Sequence, residues 1–97
     1  MPTYITLNSW TQQGIENVKE SPSRLNAAKK MIREQGGKLK AAYLVMGRYD
    51  FVTILEAPDD ETAARIFLAL GSKGGVRTET MRAFSEDEYR EIIKSLP

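Results

Sequence analysis

Two apolar runs separated by only a few residues lie near the centre of this 97-residue chain. The runs are KLKAAYLVM (residues 38–46) and DFVTILEA (residues 50–57), and both are rich in apolar, aromatic and β-branched residues. Residues of these types favour β-strands, and strands joined by so short a connection pair antiparallel. The sequence therefore predicts a central β-hairpin, around which the other elements are arranged.

A helical pattern precedes the hairpin, and a second one follows it. In SPSRLNAAKKMIREQGG, Ser21 is a suitable N-cap, Pro22 suits the first helical position, and Gly36 and Gly37 can end the helix. In PDDETAARIFLALG, carboxylates lie at the start, where they meet the positive end of the helix dipole, and Gly71 follows the last apolar residue. Each segment has an apolar stripe at helical spacing: Leu25, Ala28, Met31 and Ile32 in the first, and Ala63, Ile66, Phe67 and Leu70 in the second.

Two more strands, at residues 3–10 and 76–84, are predicted from alternating patterns. A last helix is predicted in SEDEYREIIKSL, where Ser85 and Glu88 have the spacing of a capping box. The first six elements follow the ferredoxin-like βαββαβ order, an α+β sandwich with a four-stranded antiparallel sheet and both helices on one face. We therefore expect one domain over residues 1–97, with an additional C-terminal helix.

The alternation also assigns side chains to the two faces of the sheet. We expect the more apolar set to lie under the helices: Ile5, Leu7, Leu44, Met46, Val52, Ile54, Met81 and Ala83. The opposite face would carry Tyr4, Thr6, Asn8, Trp10, Tyr43, Val45, Phe51, Thr53, Leu55, Thr78, Thr80 and Arg82. The second set has too many aromatic and aliphatic members for a face in water. It could be covered by the C-terminal helix or by the sheet of a second copy, and we favour the second copy.

Composition excludes several classes of function. The chain has no cysteine and no histidine, which removes thiolate chemistry, the commonest acid–base group and the usual zinc and haem ligands. A net charge of +1 gives no field for nucleic acid or an anionic membrane. Neither a signal peptide nor a membrane-length apolar run is present. We expect a cytoplasmic protein that needs no cofactor or metal and binds neither nucleic acid nor membrane.

Three ordered blocks of the sequence resemble the GYD-domain family, which is named for a Gly-Tyr-Asp motif in this hairpin. The blocks are NSWTQQGIENVKESPSR, MGRYDFVTILEAPDDETAA and GGVRTETMRAFSEDEY, and they cover most of the chain. The motif corresponds to Gly47, Tyr49 and Asp50, with Arg48 at a position for which the name implies no fixed residue. The resemblance implies the dimeric α+β barrel architecture, in which two ferredoxin-like sheets pack face to face. It therefore also implies a homodimer or a higher homo-oligomer.

The hairpin motif has a structural and a functional interpretation. In the structural one, Gly47 supplies a positive φ, Asp50 bonds to nearby backbone N–H groups, and Tyr49 packs its ring while its hydroxyl stays in water. In the functional one, Tyr49 and Asp50 lie at a pocket mouth, with Arg48 as an anion clamp. The two roles can coexist in one loop.

Three further side chains are candidates for ligand binding on the second face of the sheet. Trp10 and Tyr43 could line a pocket or fill an interface between copies. Arg82, beside Thr78 and Thr80, needs a partner if it is partly buried, either a carboxylate of the protein or the anion of a ligand. The tentative ligand-binding set is therefore Trp10, Tyr43, Arg48, Tyr49, Asp50 and Arg82.

Two functions remain open at this stage. The first is a small homo-oligomeric protein that binds a small molecule between its packed sheets. The alternative is a cofactor-independent enzyme, similar to the monooxygenases and isomerases of the barrel superfamily, that acts on a small organic substrate. Without histidine, an enzyme would depend on Asp50, Glu56, Glu79 or a tyrosine, whose ordinary pKa values are far from neutral, so the first function is favoured. No catalytic residue can be assigned.

Overall fold

Four strands form one antiparallel sheet with the order β2-β3-β1-β4 in this computed structural model, which describes residues 1–97. The elements are β1 (Thr3–Trp10), α1 (Gln12–Glu16), a 3₁₀ turn (Val18–Glu20), α2 (Ser21–Glu34), β2 (Lys38–Leu44), β3 (Phe51–Glu56), α3 (Asp60–Ser72), β4 (Val76–Ala83) and α4 (Glu86–Lys94). All neighbouring strands run antiparallel. The α+β ferredoxin-like prediction is confirmed.

Local sequence signals explain most of the helix ends. The side chain of Asp59 accepts a hydrogen bond from the backbone N–H of Thr62 at 2.8 Å, which caps α3 and holds the pKa of this carboxyl below its ordinary value. Ser85 and Glu88 form the predicted capping box of α4. Gly36, with φ of 87°, follows α2 in a conformation that favours glycine.

Two predicted helix boundaries are wrong. Ser21 is the first residue of α2 rather than its N-cap, because the 3₁₀ turn runs directly into the helix and Glu20 occupies the cap position. α3 continues past Gly71 to Ser72, and the glycine with positive φ in the following loop is Gly74, at 83°. A glycine within the last turn lowers helix stability but does not by itself end a helix.

The helices cover one face of the sheet, and the buried core lies between them. Residues from β1 and β3 meet residues from α2 and α3 in this core, which consists of Tyr4, Ile32, Leu55, Ala57, Ala63 and Ile66. Thr6 and Asn8 are also buried on this face, in the same alternating series of β1 as Tyr4. Residues that pair across antiparallel strands share a face, so Thr53, Thr80 and Arg82 lie on this side of the sheet, and Thr80 and Arg82 are exposed on the edge strand β4.

The predicted assignment of the two faces is therefore wrong for β1, β3 and β4. The set expected to lie in the open is the set under the helices. Its polar members are hydrogen-bonded to one another: the hydroxyls of Thr6 and Thr53 bond across the strands, and the Asn8 amide donates to Thr6 at 2.7 Å. Buried polar groups with partners are tolerated, and small threonines leave space for the helices to pack closely. Hydropathy alone therefore ranked the two faces in the wrong order.

The uncovered face is the more apolar one, and we call it the open face. It carries Ile5, Leu7, Ala41, Tyr43, Val52, Ile54 and Met81, as the strand register shows. Tyr43 lies on this face, as predicted, because it pairs with Val52 of β3. Leu44 pairs with Phe51 and belongs to the covered side, as expected.

The C-terminal helix α4 covers neither face of the sheet. Its apolar stripe of Tyr89, Ile92, Ile93 and Leu96 is 43–62% exposed, and no residue of the helix is buried. The longest dimension of the chain is 51 Å, against 18 Å for the shortest. α4 therefore does not fold back over the open face of its own chain. None of the helices is long and apolar enough to cross a lipid bilayer.

Candidate functional site

The loop that joins β2 and β3 is fastened to β1 by Asp50. The Asp50 carboxylate accepts a hydrogen bond from the backbone N–H of Trp10 at 3.0 Å, and the Asp50 backbone N–H donates to the carbonyl of Asn8 at 2.9 Å. The N–H of Val45 donates to the Asp50 carbonyl at 3.0 Å and closes the loop. Asp50 accepts from a backbone N–H, as predicted, but that group belongs to Trp10 on another strand and not to the turn that contains Asp50.

Two other motif residues shape the same loop. Gly47 has φ of 121°, a conformation that favours glycine, as predicted. The Tyr49 hydroxyl donates to a carboxylate oxygen of Glu79 at 2.7 Å, and this bond raises the pKa of Tyr49 above its ordinary value. The Tyr49 hydroxyl is exposed to water, as predicted, and its bond to Glu79 also joins the loop to β4 across the end of the open face.

An exposed apolar and cationic surface results at the end of the hairpin. We call Leu44, Met46, Gly47 and Arg48 the hairpin tip. Met46 is 98% exposed and Leu44 is 69% exposed. Arg48 is also exposed, and no carboxylate lies within 4.0 Å of its guanidinium. Asp50 and Tyr49 hold the loop from both sides, so these side chains are presented on a fixed backbone.

A cleft of about 450 Å³ lies on the other side of the sheet, between α3 and β4. Its floor is the ring of Tyr4, whose hydroxyl donates a hydrogen bond to the carboxylate of Asp60 at the start of α3. Burial, followed by the bond to Asp60, raises the pKa of Tyr4 to about 12. The tyrosine therefore keeps its proton at neutral pH and acts in the cleft as a hydrogen-bond donor to Asp60.

Arg82 lies at the edge of this cleft. Its guanidinium is 4.4 Å from the ring centre of Phe84 and 5.9 Å from that of Tyr4, within the range of cation–π contacts. It donates to the carbonyl of Ala83, and no carboxylate lies within 4.0 Å. The expected ion pair with a protein carboxylate is absent, because Arg82 is exposed and solvated instead of partly buried.

The predicted ligand-binding set is divided among separate places. Arg48, Tyr49 and Asp50 are on the hairpin loop, and Trp10 is fastened beside them at the end of β1. Tyr43 is on the open face, and Arg82 is at the cleft on the covered side. The predicted cavity between two sheets is wrong in its lining, because Arg82, Thr78 and Thr80 point to the helix side.

Sequence reasoning missed two groups of residues. Tyr4 and Asp60 are separated by 56 positions, and Asp60 was interpreted only as a favourable charge at a helix start. Leu44 and Met46 were predicted to lie under the helices, but both are exposed. β2 ends at Leu44, so Met46 lies in the loop and not in the strand. No three Asp, Glu, His or Cys side chains lie close enough together to hold a metal ion.

With this geometry established, the chain can be compared with known proteins. The model of the GYD domain family matches residues 4–93. This chain belongs to the GYD domain family. A relative from Thermus thermophilus, named glutamine synthetase and cystathionine beta-lyase binding protein, is 40% identical over 84 residues, which cover 86% of this chain and 88% of the relative. The crystal structure of TTHA0845, also from Thermus thermophilus, superposes with a TM-score of 0.55 and 26% identity, covering 88% of this chain and 95% of that one.

For this GYD-family chain, the motif that gives the family its name has a clear structural position. Gly47 turns the loop, Tyr49 bonds to β4 and Asp50 bonds to β1, so all three hold the hairpin loop in place. Arg48, between them, contributes to none of these contacts. The loop therefore combines three fastening residues with one free cationic side chain.

Proposed function

We propose that this GYD-family chain is a homo-oligomeric binding protein that associates with other proteins. The observation that carries the proposal is the open face, whose centre is a cluster of aliphatic side chains that no element of the chain covers. A contiguous apolar surface of this kind on a small protein marks an interaction site. The expectation of a homo-oligomer remains, but the surface that supports it is the opposite of the predicted one.

A second copy is the partner that the open face fits best. The open face has Ile5, Leu7, Val52 and Ile54 at its centre, and sheets pack face to face at a spacing of roughly 10 Å. A two-fold axis would cover both open faces at once, with Tyr43 and Met81 near the margins. Stable dimers bury roughly 1,200–2,000 Å² in total, which a four-stranded face can supply.

The association with other proteins is proposed from the hairpin tip. The name of the 40% identical relative describes binding of glutamine synthetase and cystathionine beta-lyase, so enzymes of these two kinds are the partners we propose for this chain. Met46 and Leu44 are exposed, and flexible methionines adapt to varied partner surfaces. Arg48 adds a free cation of a type that is enriched at interfaces. This extends the proposed role of Arg48 from a small anion to a carboxylate of a protein partner.

Surface plasmon resonance with purified enzymes tests this association. We expect immobilised wild-type protein to bind at least one of the two enzymes from its own organism, and Met46→Ser to weaken the binding. Leu68→Ser is the matched control, because Leu68 is also 75% exposed but lies on α3, away from the tip. No binding of either enzyme would contradict the partner proposal, and equal loss in both variants would contradict the assignment to the tip.

A second candidate function is the binding of a small molecule, and the cleft between α3 and β4 favours it. The cleft offers the guanidinium of Arg82, the rings of Tyr4 and Phe67, and the hydroxyls of Thr78 and Thr80. Such a combination suits a small aromatic carboxylate, whose anion would approach Arg82. Tyr4 is protonated at neutral pH, so it can take part in the cleft as a hydrogen-bond donor and not as a general base.

Thermal shift with benzoate and salicylate tests the cleft. We expect both compounds to raise the melting temperature of the wild type and to have a smaller effect on Arg82→Gln. Arg77→Gln is the matched control, because Arg77 is on the same strand but on the opposite face of the sheet. Equal shifts in the wild type and in Arg82→Gln would contradict this candidate site.

A further inference from the structure

The helix α4 is the element of this chain that lacks a partner. Its stripe of Tyr89, Ile92, Ile93 and Leu96 is exposed, although these residues have the spacing of a buried helix face. Isolated helices shorter than roughly 12–15 residues are marginal in water, and α4 has 9 residues. The capping box fixes where the helix begins but does not bury its apolar side. A stable α4 therefore requires a further surface against which its apolar stripe can be buried.

The charge of α4 indicates what kind of surface it fits. The helix has four acidic and two basic residues, so its net charge is −2. Its two ion pairs, Glu86–Arg90 and Glu91–Lys94, lie within the helix, and Asp87 and Glu88 take part in no ion pair. α4 is therefore an amphipathic helix with an acidic polar side, and it fits a surface that is basic and offers some apolar area.

The chain carries such a surface at the opposite edge of its sheet. A groove of about 370 Å³ between α2 and β2 is lined by Lys29, Arg33, Gly37, Lys38 and Leu39, and we call it the basic groove. No carboxylate lies within 4.0 Å of its three cations. The alkyl stems of Lys29 and Arg33 can cover apolar side chains while their charged ends stay in water.

The strand order decides whether α4 of one copy can reach the basic groove of another. β2 and β4 are the two edges of the sheet and run antiparallel to each other. When two open faces pack about a two-fold axis parallel to the strands, β4 of each copy lies beside β2 of the other. Ala83, at the end of β4, and Lys38, at the start of β2, are at the same end of the sheet, since both are in register with the Thr3–Glu56 pair. α4, which begins three residues after Ala83, then starts beside the partner copy's basic groove.

The other two-fold arrangement is less favourable. An axis in the interface but perpendicular to the strands would place β2 over β2 and β4 over β4. α4 of each copy would then lie beside β4 of the partner, at the sheet edge opposite the partner's basic groove.

We propose that α4 crosses to a second copy and docks in the basic groove of that copy. The stripe around Ile93 packs against Leu39 and the stems of Lys29 and Arg33, and the acidic side of α4 meets the three cations. The exchange is reciprocal, so each dimer contains two such contacts. This inference rests on the proposed dimer and names the surface that completes it.

Engineered disulfides test the docking directly, because the wild-type chain has no cysteine. A disulfide forms only where two Cβ atoms approach within roughly 3.5–4.5 Å. Purified Ile93→Cys and Lys29→Cys variants are mixed and oxidised, and we expect a mixed disulfide-linked dimer on a non-reducing gel. Ile93→Cys mixed with Leu68→Cys is the matched control, because Leu68 is an exposed residue of α3 beside the other cleft.

The outcomes separate this inference from the proposed dimer. A dimer in solution without the Ile93–Lys29 link would overturn the docking of α4 and leave the dimer in place. An intramolecular disulfide in an Ile93→Cys/Leu68→Cys double variant would also overturn it, because α4 would then cover the cleft of its own chain. A monomer in solution would overturn both.

Reversing charges at the proposed contact provides an independent test of the docking of α4. Arg33→Glu should weaken dimerisation about tenfold at low salt, since a repulsive pair replaces an attractive one. Asp87→Arg in the same chain should restore part of the loss. Arg65→Glu is the control, because Arg65 is an exposed cation of α3 outside the basic groove. Equal effects of Arg33→Glu and Arg65→Glu would overturn the proposed contact.

Discussion

Replacing Thr6 by valine is the sharpest test of which sheet face lies under the helices. Thr6 is 1% exposed, its hydroxyl is bonded to that of Thr53, and it accepts a hydrogen bond from the Asn8 amide at 2.7 Å. Valine has nearly the same shape, so Thr6→Val removes these bonds without opening a cavity. The Asn8 amide keeps its second acceptor, the carbonyl of Phe51 at 3.2 Å. The Thr53 hydroxyl loses its side-chain partner.

The expected loss follows from these contacts. Leaving one buried polar group without a partner costs about 1–3 kcal/mol. Burying a methyl group in place of the hydroxyl returns up to about 0.8 kcal/mol. The net loss in the free energy of unfolding is therefore about 0.2–3 kcal/mol, and we take about 1–2 kcal/mol as its centre. For a domain of this size, that lowers the melting temperature by about 4–16 °C.

Thermal and urea denaturation of four proteins measures the effect. Thr80→Val is the matched control, because Thr80 pairs directly with Thr6 on the neighbouring strand but is exposed, and its change should stay within about 0.5 kcal/mol. The Thr6→Val/Thr53→Val double variant should recover part of the loss, since removing both partners leaves fewer unpaired groups.

Equal stability of Thr6→Val and Thr80→Val would refute the reasoning. It would mean that the hydroxyl of Thr6 is accessible to water, so the helices would not bury this part of the sheet. The open face, and the dimer proposed from it, would then lose their basis.

Two further predictions concern the hairpin loop and the cleft. Gly47→Ala should lower the free energy of unfolding by about 1–3 kcal/mol through backbone strain alone, since no atom lies within 4 Å of the added Cβ. The loss should exceed that of Tyr49→Phe, which removes one exposed hydrogen bond. Urea midpoints in the reverse order would contradict the structural role of the glycine. The pKa of Tyr4 is raised from 10.0 to about 12 in the folded state, so the stability it contributes is complete below pH 10 and is lost as pH rises toward 12. Tyr4→Phe should therefore lose less stability than the wild type between pH 10 and pH 12, and parallel pH profiles of the two would show that Tyr4 is not protected by burial and Asp60.

Local rules in the sequence predict the elements well because each depends on a few adjacent residues. The capping box of Ser85 and Glu88 is contained in four positions, and the turn at Gly47 requires one residue that accepts positive φ. The order of the elements then leaves few topologies, and the ferredoxin-like arrangement follows. The family resemblance carried by the three sequence blocks is confirmed over residues 4–93.

The two faces could not be ranked from the sequence because the ranking depends on contacts between strands. Thr6 and Asn8 look like surface residues until the register places Thr53 beside Thr6 and supplies the missing hydrogen bond. The cleft could not be predicted for the same reason, since Tyr4 and Asp60 meet only after α3 packs on the sheet. The fastening of Asp50 to Trp10 is likewise a contact between strands.

Sedimentation equilibrium of the wild-type protein tests the central claim, that the open face joins two copies. The chain has a mass of 10.9 kDa, and we expect an assembly of about twice this mass, or a higher even multiple, at micromolar concentration. Ile54→Lys should dissociate the assembly to the monomer mass, because it places two unpaired cations at one buried interface, whereas Leu68→Lys should not. A wild-type mass near 10.9 kDa, or an intact assembly in Ile54→Lys, would contradict the claim.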